Sequence, residues 1–464
     1  MERKLKLNPL LLFAVGFVIG GAALYFKLSF TIGLWAALFG IAVLFENPMA
    51  GIIGAAFGYI FLPDTLCLAL LYGIFGLYLL RKIFLKNRPL QIEGQETMIY
   101  VYFLMLAVQT FTSMIVAGSI RDFAIHTGGL MLFIMVVNES YDEKRLHKII
   151  TAVVVATTIL ALIGIVQYIV GVDIKEGWLD EKFNTDIRAR VYSIFGNPNI
   201  FAEYLVMTMP LTVGVLWSSK RDGVRISFLA MFAVQLAALF MTMSRGGWLG
   251  LALSLLIFIV IVRKELLLLA IPMAGAAVYF IPQTFIARFM TIFNMNESSA
   301  SYRLQIWKVA IRIIKDNFLL GLGLGYMPFK RTFERYLSTL GIFHAHNTFI
   351  EIFAEMGVLG FFFFVLFVIA IFVALFRYPI KSEDRYMRTM GAAMVASFSG
   401  MLFHGMFENI FYMTKITTTF YLLLGIAFSL ARMCRRRKGL ELMKERTGAC
   451  LLYTSDAADE TLWV

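Results

Sequence analysis

Charged side chains are scarce in this sequence. They make up 16% of its 464 residues, whereas hydrophobic residues make up 60% and the mean hydropathy is +0.78. A typical soluble domain carries about a quarter charged residues. The composition therefore excludes an ordinary soluble protein and indicates a membrane protein in which few polar groups can carry chemistry.

Cysteine is almost absent. The chain contains only Cys67, Cys434 and Cys450, which lie far apart in the sequence. Their spacing fits neither a zinc site nor a disulfide framework. The sequence thus predicts no cysteine-based metal centre and no cross-linked scaffold.

Long apolar runs are abundant instead. Each covers roughly 15 to 22 residues, close to the ~20 that cross a bilayer as a helix. Backbone exposed to lipid must satisfy its own hydrogen bonds, so these runs must be helical. We therefore predict an all-α fold, a polytopic transmembrane helical bundle of about twelve to fourteen spans. The predicted spans are 8–25, 28–45, 49–62, 65–80, 97–116, 123–137, 149–170, 200–217, 226–243, 248–262, 266–281, 358–376, 390–407 and 417–430.

Basic residues predict the orientation of these spans, because short loops rich in Lys and Arg remain cytoplasmic. Alternate connections carry such clusters, and both termini are predicted to be cytoplasmic. The net charge of +12 is then largely topological, so no nucleic-acid partner is expected, although basic ends can contact anionic lipid. The clusters lie at 3–6, 81–88, 144–148, 220–225, 263–264, 377–388 and 432–438.

The chain divides into five regions on this reading. Two predicted extracytoplasmic segments, about 171–199 and 282–356, are longer than simple connections, and long loops in compact proteins are usually functional or disordered. The second contains apolar residues at near-helical spacing, which predicts an amphipathic helix at the membrane surface. The regions are 1–170 (N-terminal helices), 171–281 (central helices with the first outer loop), 282–357 (the large extracytoplasmic loop), 358–431 (C-terminal helices) and 432–464 (a basic cytoplasmic tail).

The last fifteen residues, 450–464, differ from the rest of the chain. Residues 450–460 resemble an in-frame translation of a sequencing-library transposon adapter. We interpret 450–464 as an artefact and exclude it from functional reasoning. An ordinary variable tail is the alternative, and resequencing the natural locus distinguishes the two.

Three short motifs occur in a fixed order in the centre of the chain. They are Gly196-Asn197-Pro198-Asn199, the SRGGW stretch at 244–248, and His346-Asn347 followed by Gly357-x-x-Gly360. Together with the RLQIW stretch at 303–307, they resemble the O-antigen ligase and O-antigen polymerase superfamily over about residues 190–364. The resemblance implies a membrane glycosyltransferase in cell-surface polysaccharide synthesis. Such an enzyme moves a glycan from an undecaprenyl diphosphate carrier to an acceptor sugar hydroxyl at the outer face of the bacterial cytoplasmic membrane.

The resemblance also assigns roles to individual residues. His346 would be the base that activates the acceptor hydroxyl, a role that suits an imidazole. Arg245 and Arg303 would hold the diphosphate, because a guanidinium binds phosphate oxygens bidentately and stabilises departing charge. Arg190, together with Asn199 and Asn347, is a candidate for substrate binding. A single displacement would invert the configuration at the anomeric carbon. The resemblance implies neither a cofactor nor a metal, and no DxD or clustered His-carboxylate signature is visible in the outer loops.

Each residue also has a purely structural interpretation. Arg245 could reach lipid headgroups, and its neighbouring glycines could serve helix packing. His346 could be an ordinary interfacial histidine, with His344 in its place or simply exposed. Arg190 could be a surface charge, and Arg303 could be one of several basic residues on a solvated helix face.

A secondary transporter of a small solute is the alternative function. Transporters usually place their site near the membrane midplane on broken helices. Here the Arg and His residues concentrate at one predicted outer face beside a long loop, which favours the transferase. The same motifs serve ligases and polymerases, so the residues do not distinguish these two activities.

Overall fold

The computed structural model describes residues 44–85, 89–173, 189–268, 282–291, 298–411 and 413–459, plus the single positions 272, 275 and 279. Side chains are described except in 298–300 and from 440 onward. The predicted spans 8–25 and 28–45, and most of 266–281, lie outside these residues. Over the part described, the fold is all-α and contains no strand.

Fourteen α-helices are formed by the described residues. Six of them begin at a side chain that accepts a backbone N–H of the first turn, which satisfies part of the unpaired helix start. These N-caps are Asn47, Asp142, Asn197, Ser244, Asn347 and Asp384. The helices are α1 (Pro48–Gly58), α2 (Asp64–Leu85), α3 (Thr97–Phe111), α4 (Val116–Glu139), α5 (Glu143–Val170), α6 (Pro198–Ser218), α7 (Asp222–Met241), α8 (Arg245–Arg263), α9 (Gln283–Met290), α10 (Ser298–Asp316), α11 (Tyr326–Tyr336), α12 (Thr348–Arg377), α13 (Arg385–His404) and α14 (Thr414–Asp459).

Eight helices in the described residues are long and apolar enough to cross a bilayer. They are α2, α4, α5, α6, α7, α8, α12 and α14, which confirms a polytopic bundle. The predicted span 49–62 is instead the 11-residue α1 followed by a short 3₁₀ turn, Tyr59–Phe61. The predicted spans 97–116 and 390–407 correspond to α3, of 15 residues, and to α13, of 20 residues.

Small residues allow the central helices α6, α8 and α13 to approach closely. A Cβ on Gly250 of α8 would lie 3.2 Å from the carbonyl oxygen of Gly400 in α13. A Cβ on Gly247 would lie 2.7 Å from the Cβ of Ala202 in α6. Such contacts are typical of helix packing in membranes, where close van der Waals contact replaces the hydrophobic effect.

Two ends of the bundle can be distinguished. At the histidine end lie the loop 341–347, the start of α8 and the loop 405–411 after α13. At the opposite end, Lys82 of α2 pairs with Glu139 of α4 at 2.8 Å, and Arg385 donates to the carbonyl oxygen of Trp217 at 2.7 Å. The short basic connections that predicted the cytoplasmic side therefore meet at one end.

The large loop forms a small apolar core of its own at the histidine end. The predicted amphipathic helix exists as α10, and its apolar stripe includes Ile306, Val309 and Ile313. These side chains are buried within the protein, against α11 and the start of α12, and the position of α10 at the membrane surface stays a prediction. Burial within the protein removes this apolar area from water without any lipid.

A break inside α12 joins this loop to the bundle. Gly357 has φ +63° and ψ −170°, so the helix is interrupted there. The backbone of 318–323 fills the gap, with Val358 N–H donating to Phe318 O at 2.8 Å and Gly323 N–H donating to Glu355 O at 2.9 Å. A Cβ on Gly357 would lie 2.4 Å from the carbonyl oxygen of Leu319, so only glycine fits this contact.

Candidate active site

The loop that carries His346 is clamped from both sides. The Ala345 N–H donates a short hydrogen bond to the Glu351 carboxylate, and the Ala345 carbonyl accepts from Trp307 Nε1 at 3.0 Å. His346 itself has φ +49°, a left-handed conformation that few residues other than glycine adopt. These two hydrogen bonds explain how the backbone is held in that conformation, in which the imidazole contacts Glu408.

Asn347 caps α12 and joins it to the loop after α13. Its side-chain oxygen accepts the N–H groups of Phe349 and Ile350, each at 3.0 Å. Its amide nitrogen donates to the Met406 carbonyl at 3.0 Å. Both ends of the amide thus support the histidine loop, while a role of Asn347 in substrate binding stays a prediction.

Glu408 is the partner of His346. His346 Nδ1 lies 3.1 Å from Glu408 Oε1, and the Glu408 side chain is 2% exposed against 25% for His346. Burial alone would raise the pKa of Glu408. Attraction and hydrogen bonding by His346, with smaller contributions from His344 and Arg303, outweigh burial and hold that pKa well below its usual range. Glu408 is therefore an anion that accepts the Nδ1 proton of His346.

His344 is the second histidine of this cluster, and it is buried rather than exposed. Its Nε2 lies 3.6 Å from Glu408 Oε1, and its Nδ1 accepts the His346 backbone N–H at 3.2 Å. Burial lowers the pKa of His344 to about 3, an effect that His346 and Arg303 strengthen and Glu408 opposes. At neutral pH its imidazole is uncharged.

Arg303 is brought to the same place by α10. It precedes Trp307 by four residues, one helical turn, and Trp307 is the residue that holds Ala345. Its charge acts on both His344 and Glu408. The sequence-predicted pair His346 and Arg303 is therefore assembled at one site, although 43 positions separate the two residues along the chain.

The SRGG motif forms the first turn of α8 at the same end of the bundle. Ser244 caps the helix, and Arg245, its first residue, donates to the Thr291 carbonyl at 2.9 Å and hydroxyl at 2.8 Å. A Cβ on Gly246 would lie 3.4 Å from the His404 ring. The glycine thus allows the start of α8 to lie against the end of α13, just before Glu408.

Two more arginines surround the connection between α7 and α8. Arg190 donates from Nε to the Thr242 carbonyl and from Nη2 to the Asn199 side chain, both at 3.0 Å. Arg288 donates from Nε to the Met243 carbonyl at 3.4 Å. The predicted residues Arg190 and Asn199 therefore contact each other, and Arg190 is buried rather than a surface charge.

Sequence reasoning did not select Arg288, Glu408 or Glu203. Arg288 is buried despite lying in the large loop, and Glu203 is a fully buried carboxyl group in α6. Neither oxygen of Glu203 has a hydrogen-bond partner among the described residues, and the charge of Glu408 acts on this carboxyl group. For Glu203 and Glu408, the sequence did offer a signal: an acidic residue within or at the end of an apolar run often marks a functional position in a membrane protein.

His344, His346 and Glu408 also form a group with metal-binding potential. One possible ligand atom from each lies within 4.8 Å of the other two. The absence of a His-carboxylate signature in the sequence was therefore misleading. Glu408 follows His346 by 62 positions, too far for a local motif to reveal the cluster.

Comparison with known proteins places this site in a family context. Residues 228–365 match the family model described as O-Antigen ligase. This match supports the resemblance to the O-antigen ligase and polymerase superfamily and covers Arg245, Arg288, Arg303 and His346; Arg190, Asn199 and Glu408 lie outside it. No curated protein matches the chain.

Proposed function

From the O-Antigen ligase match as premise, we propose that this chain transfers a glycan from an undecaprenyl diphosphate carrier to an acceptor sugar hydroxyl at the outer face of the bacterial cytoplasmic membrane. The observation that carries the proposal is the pairing of His346 with the buried carboxylate of Glu408, beside Arg303 and the start of α8. The site lies at the end of the bundle opposite the basic connections, which supports a location on the outer side of the membrane.

His346 acts as the general base in this mechanism. Because Nδ1–H donates to Glu408, Nε2 is the ring nitrogen that accepts a proton in this mechanism. The acceptor hydroxyl donates its proton to Nε2 while its oxygen attacks the anomeric carbon. The bond between that carbon and the diphosphate oxygen breaks, and the bonding electrons leave with the diphosphate. Glu408 stabilises the imidazolium that forms, as a carboxylate does behind other catalytic histidines.

Arginines stabilise the departing diphosphate. Arg303 belongs to the helix that also holds the His346 loop, so its guanidinium and the base are fixed relative to each other. Arg245 begins α8, where the helix start adds a partial positive charge that favours an anion. Arg190 and Asn199 support the connection just before α8 and are candidates for contact with the donor. A single displacement inverts the anomeric configuration.

The transfer proceeds without a metal ion in this proposal. His344 Nδ1 accepts the His346 N–H, so a neutral His344 carries its proton on Nε2, the nitrogen nearest to Glu408. A protonated ring nitrogen cannot bind a metal. The hydrogen bonds of the described site thus favour a proton-transfer centre, and the arginines supply the positive charge that a metal would otherwise bring.

The test is transfer by the purified protein in nanodiscs with EDTA, from undecaprenyl-diphosphate glycans of the source cell to a panel of acceptors. We expect turnover with the wild type and none with His346→Ala. His147→Ala changes a histidine at the opposite end of the bundle and is the matched control. Growth of a glycan on its own carrier indicates a polymerase, and addition to a different terminal acceptor indicates a ligase. No turnover from a folded wild type with any native donor and acceptor contradicts the proposal and favours solute transport.

A further inference from the structure

The geometry of the His344, His346 and Glu408 side chains suits a second ligand besides the acceptor. Glu408 Oε1 lies 3.1 Å from His346 Nδ1 and 3.6 Å from His344 Nε2. Ligands about 2.0–2.1 Å from a tetrahedral Zn²⁺ lie roughly 3.3 Å from one another. Both nitrogens therefore lie at nearly that spacing from the carboxylate oxygen, and one possible ligand atom from each of the three side chains lies within 4.8 Å of the other two.

Other features of the cluster also indicate a ligand. Glu408 Oε2 is buried and has no hydrogen-bond partner among the described residues, so the carboxylate has unused binding capacity. The His346 side chain is 25% exposed, which gives an ion access from the surface. Two imidazoles and one carboxylate also form a zinc ligand set known from enzymes that keep a fourth position open.

We propose that His344, His346 and Glu408 form a Zn²⁺ site whose occupation switches off glycan transfer. Zinc bonds to Nδ1 of His346, and the proton of that nitrogen moves to Nε2. The Nε2 atom, which accepts the acceptor proton in the active form, then carries a hydrogen and cannot act as a base. Metal binding and catalysis are mutually exclusive because they need opposite tautomers of one imidazole.

His344 must also exchange tautomers. Its proton moves from Nε2 to Nδ1, and the hydrogen bond from the His346 N–H is lost. Two zinc–nitrogen bonds and one zinc–carboxylate bond replace it. Arg303 repels the ion, so binding is expected to be weaker than in structural zinc sites and reversible by chelators.

The switch rests on the proposed function, whereas the metal site does not, so two measurements are needed. Binding is followed first with Co²⁺ as a spectroscopic substitute and with Zn²⁺ by calorimetry, on the full-length protein in detergent. We expect the wild type to give the visible spectrum of tetrahedral cobalt, displaced by zinc at one equivalent. His344→Gln should weaken zinc binding by at least about tenfold, as loss of a ligand requires, and His147→Gln should leave it unchanged. A thermal melt with and without zinc confirms that each variant is folded.

Transfer is measured next, with and without Zn²⁺. The wild type and His147→Gln should lose activity in zinc and recover it with EDTA, whereas His344→Gln should keep most of its own zinc-free rate at the same zinc concentration. Absence of a cobalt spectrum and of zinc binding overturns the metal site. Binding without inhibition, or equal inhibition of His344→Gln, overturns the switch. If no transfer is found in any protein, the proposed function and the switch fail together, and the binding measurement still decides the metal site.

Discussion

Glu96 and Glu408 are buried carboxylates with basic partners, and they lie at opposite ends of the bundle. At the opposite end, Glu96 binds Arg432 bidentately, with Nε–Oε1 at 2.5 Å and Nη2–Oε2 at 2.6 Å. At the histidine end, Glu408 makes one bond of 3.1 Å to His346. Both carboxylates are almost fully buried, but Arg432 is buried too, whereas His346 is partly exposed.

The difference between the pairs lies in the base. A guanidinium keeps its proton at any physiological pH, so Arg432 and Glu96 form a permanent ion pair that fixes α14 to the start of α3. An imidazole exchanges its proton near neutrality. Similar burial of a carboxylate therefore serves structure at one end and proton transfer at the other.

The strongest test of this comparison is removal of the imidazole. His346→Ala should reduce transfer by about 10³-fold or more, within the range of general-base catalysis, and it should also lower the melting temperature, because the buried Glu408 loses its partner. Initial rates and thermal melts measure the two effects. His147→Ala should retain transfer, and comparable activity in His346→Ala would rule out this base.

Changing the carboxylate behind the imidazole should have the next largest effect. Glu408→Gln offers an amide N–H to His346 Nδ1, which moves the imidazole proton to Nε2 and blocks the base. We expect kcat to fall by about 10²-fold or more, with a smaller change in KM. Glu408→Asp keeps the charge and should retain more activity than Glu408→Gln. Equal rates in Glu408→Gln and the wild type would show that Glu408 does not contribute to catalysis.

Breaking the ion pair at the opposite end should affect stability instead of chemistry. Glu96→Gln removes the closest ionic partner of the buried Arg432 and leaves only Glu93, at 3.9 Å, so we expect a cost of about 3 kcal/mol. Denaturation in detergent measures the loss, and kcat of the folded fraction should match the wild type. Glu93 lies farther from Arg432, at 3.9 Å, and its closer partners Arg435 and Arg436 are exposed, so Glu93→Gln should cost clearly less.

Replacing one arginine by lysine tests whether shape as well as charge is needed for the diphosphate. Arg245→Lys keeps a positive charge but loses the planar fork, so kcat/KM should fall by roughly tenfold to a hundredfold. Arg225→Lys, at an exposed position near the opposite end, is the matched control and should behave as wild type. Full activity of Arg245→Lys would indicate that this residue only reaches lipid headgroups.

The smallest effect concerns the pH dependence of stability. His344 has a folded pKa of about 3, below the usual 6.5, so the unfolded chain binds one more proton as the pH falls below about 6.5. The contribution of the neutral His344 to the free energy of unfolding is fully present above about pH 6.5, and it is lost progressively as the pH falls towards 3. We expect His344→Gln to lose less melting temperature than the wild type between pH 7.5 and 5. Parallel losses in the two proteins would show that His344 is not the titrating group.

The sequence predicted most of what depends on local pattern. Apolar runs predicted the long helices. The SRGG motif and His346 were predicted to lie on the same side of the membrane, and both lie at the histidine end of the bundle. Glu408 was not selected because its contact with His346 spans 62 positions and no pattern connects them. The apolar stripe of α10 was assigned to lipid because a sequence shows that a face is apolar, but not which surface covers it.

The break at Gly357 also has a consequence for how the protein is made. As one straight helix, the 30 residues of α12 would extend about 45 Å, well beyond the ~30 Å of hydrocarbon. The part after the break is about 30 Å long. The part of α12 after Gly357 therefore has the length of one crossing of the hydrocarbon by itself. Residues 318–323, which are synthesised before α12, dock against the break at the start of that part. One contact thus joins the spanning part of α12 to the loop that brings Arg303 to His346.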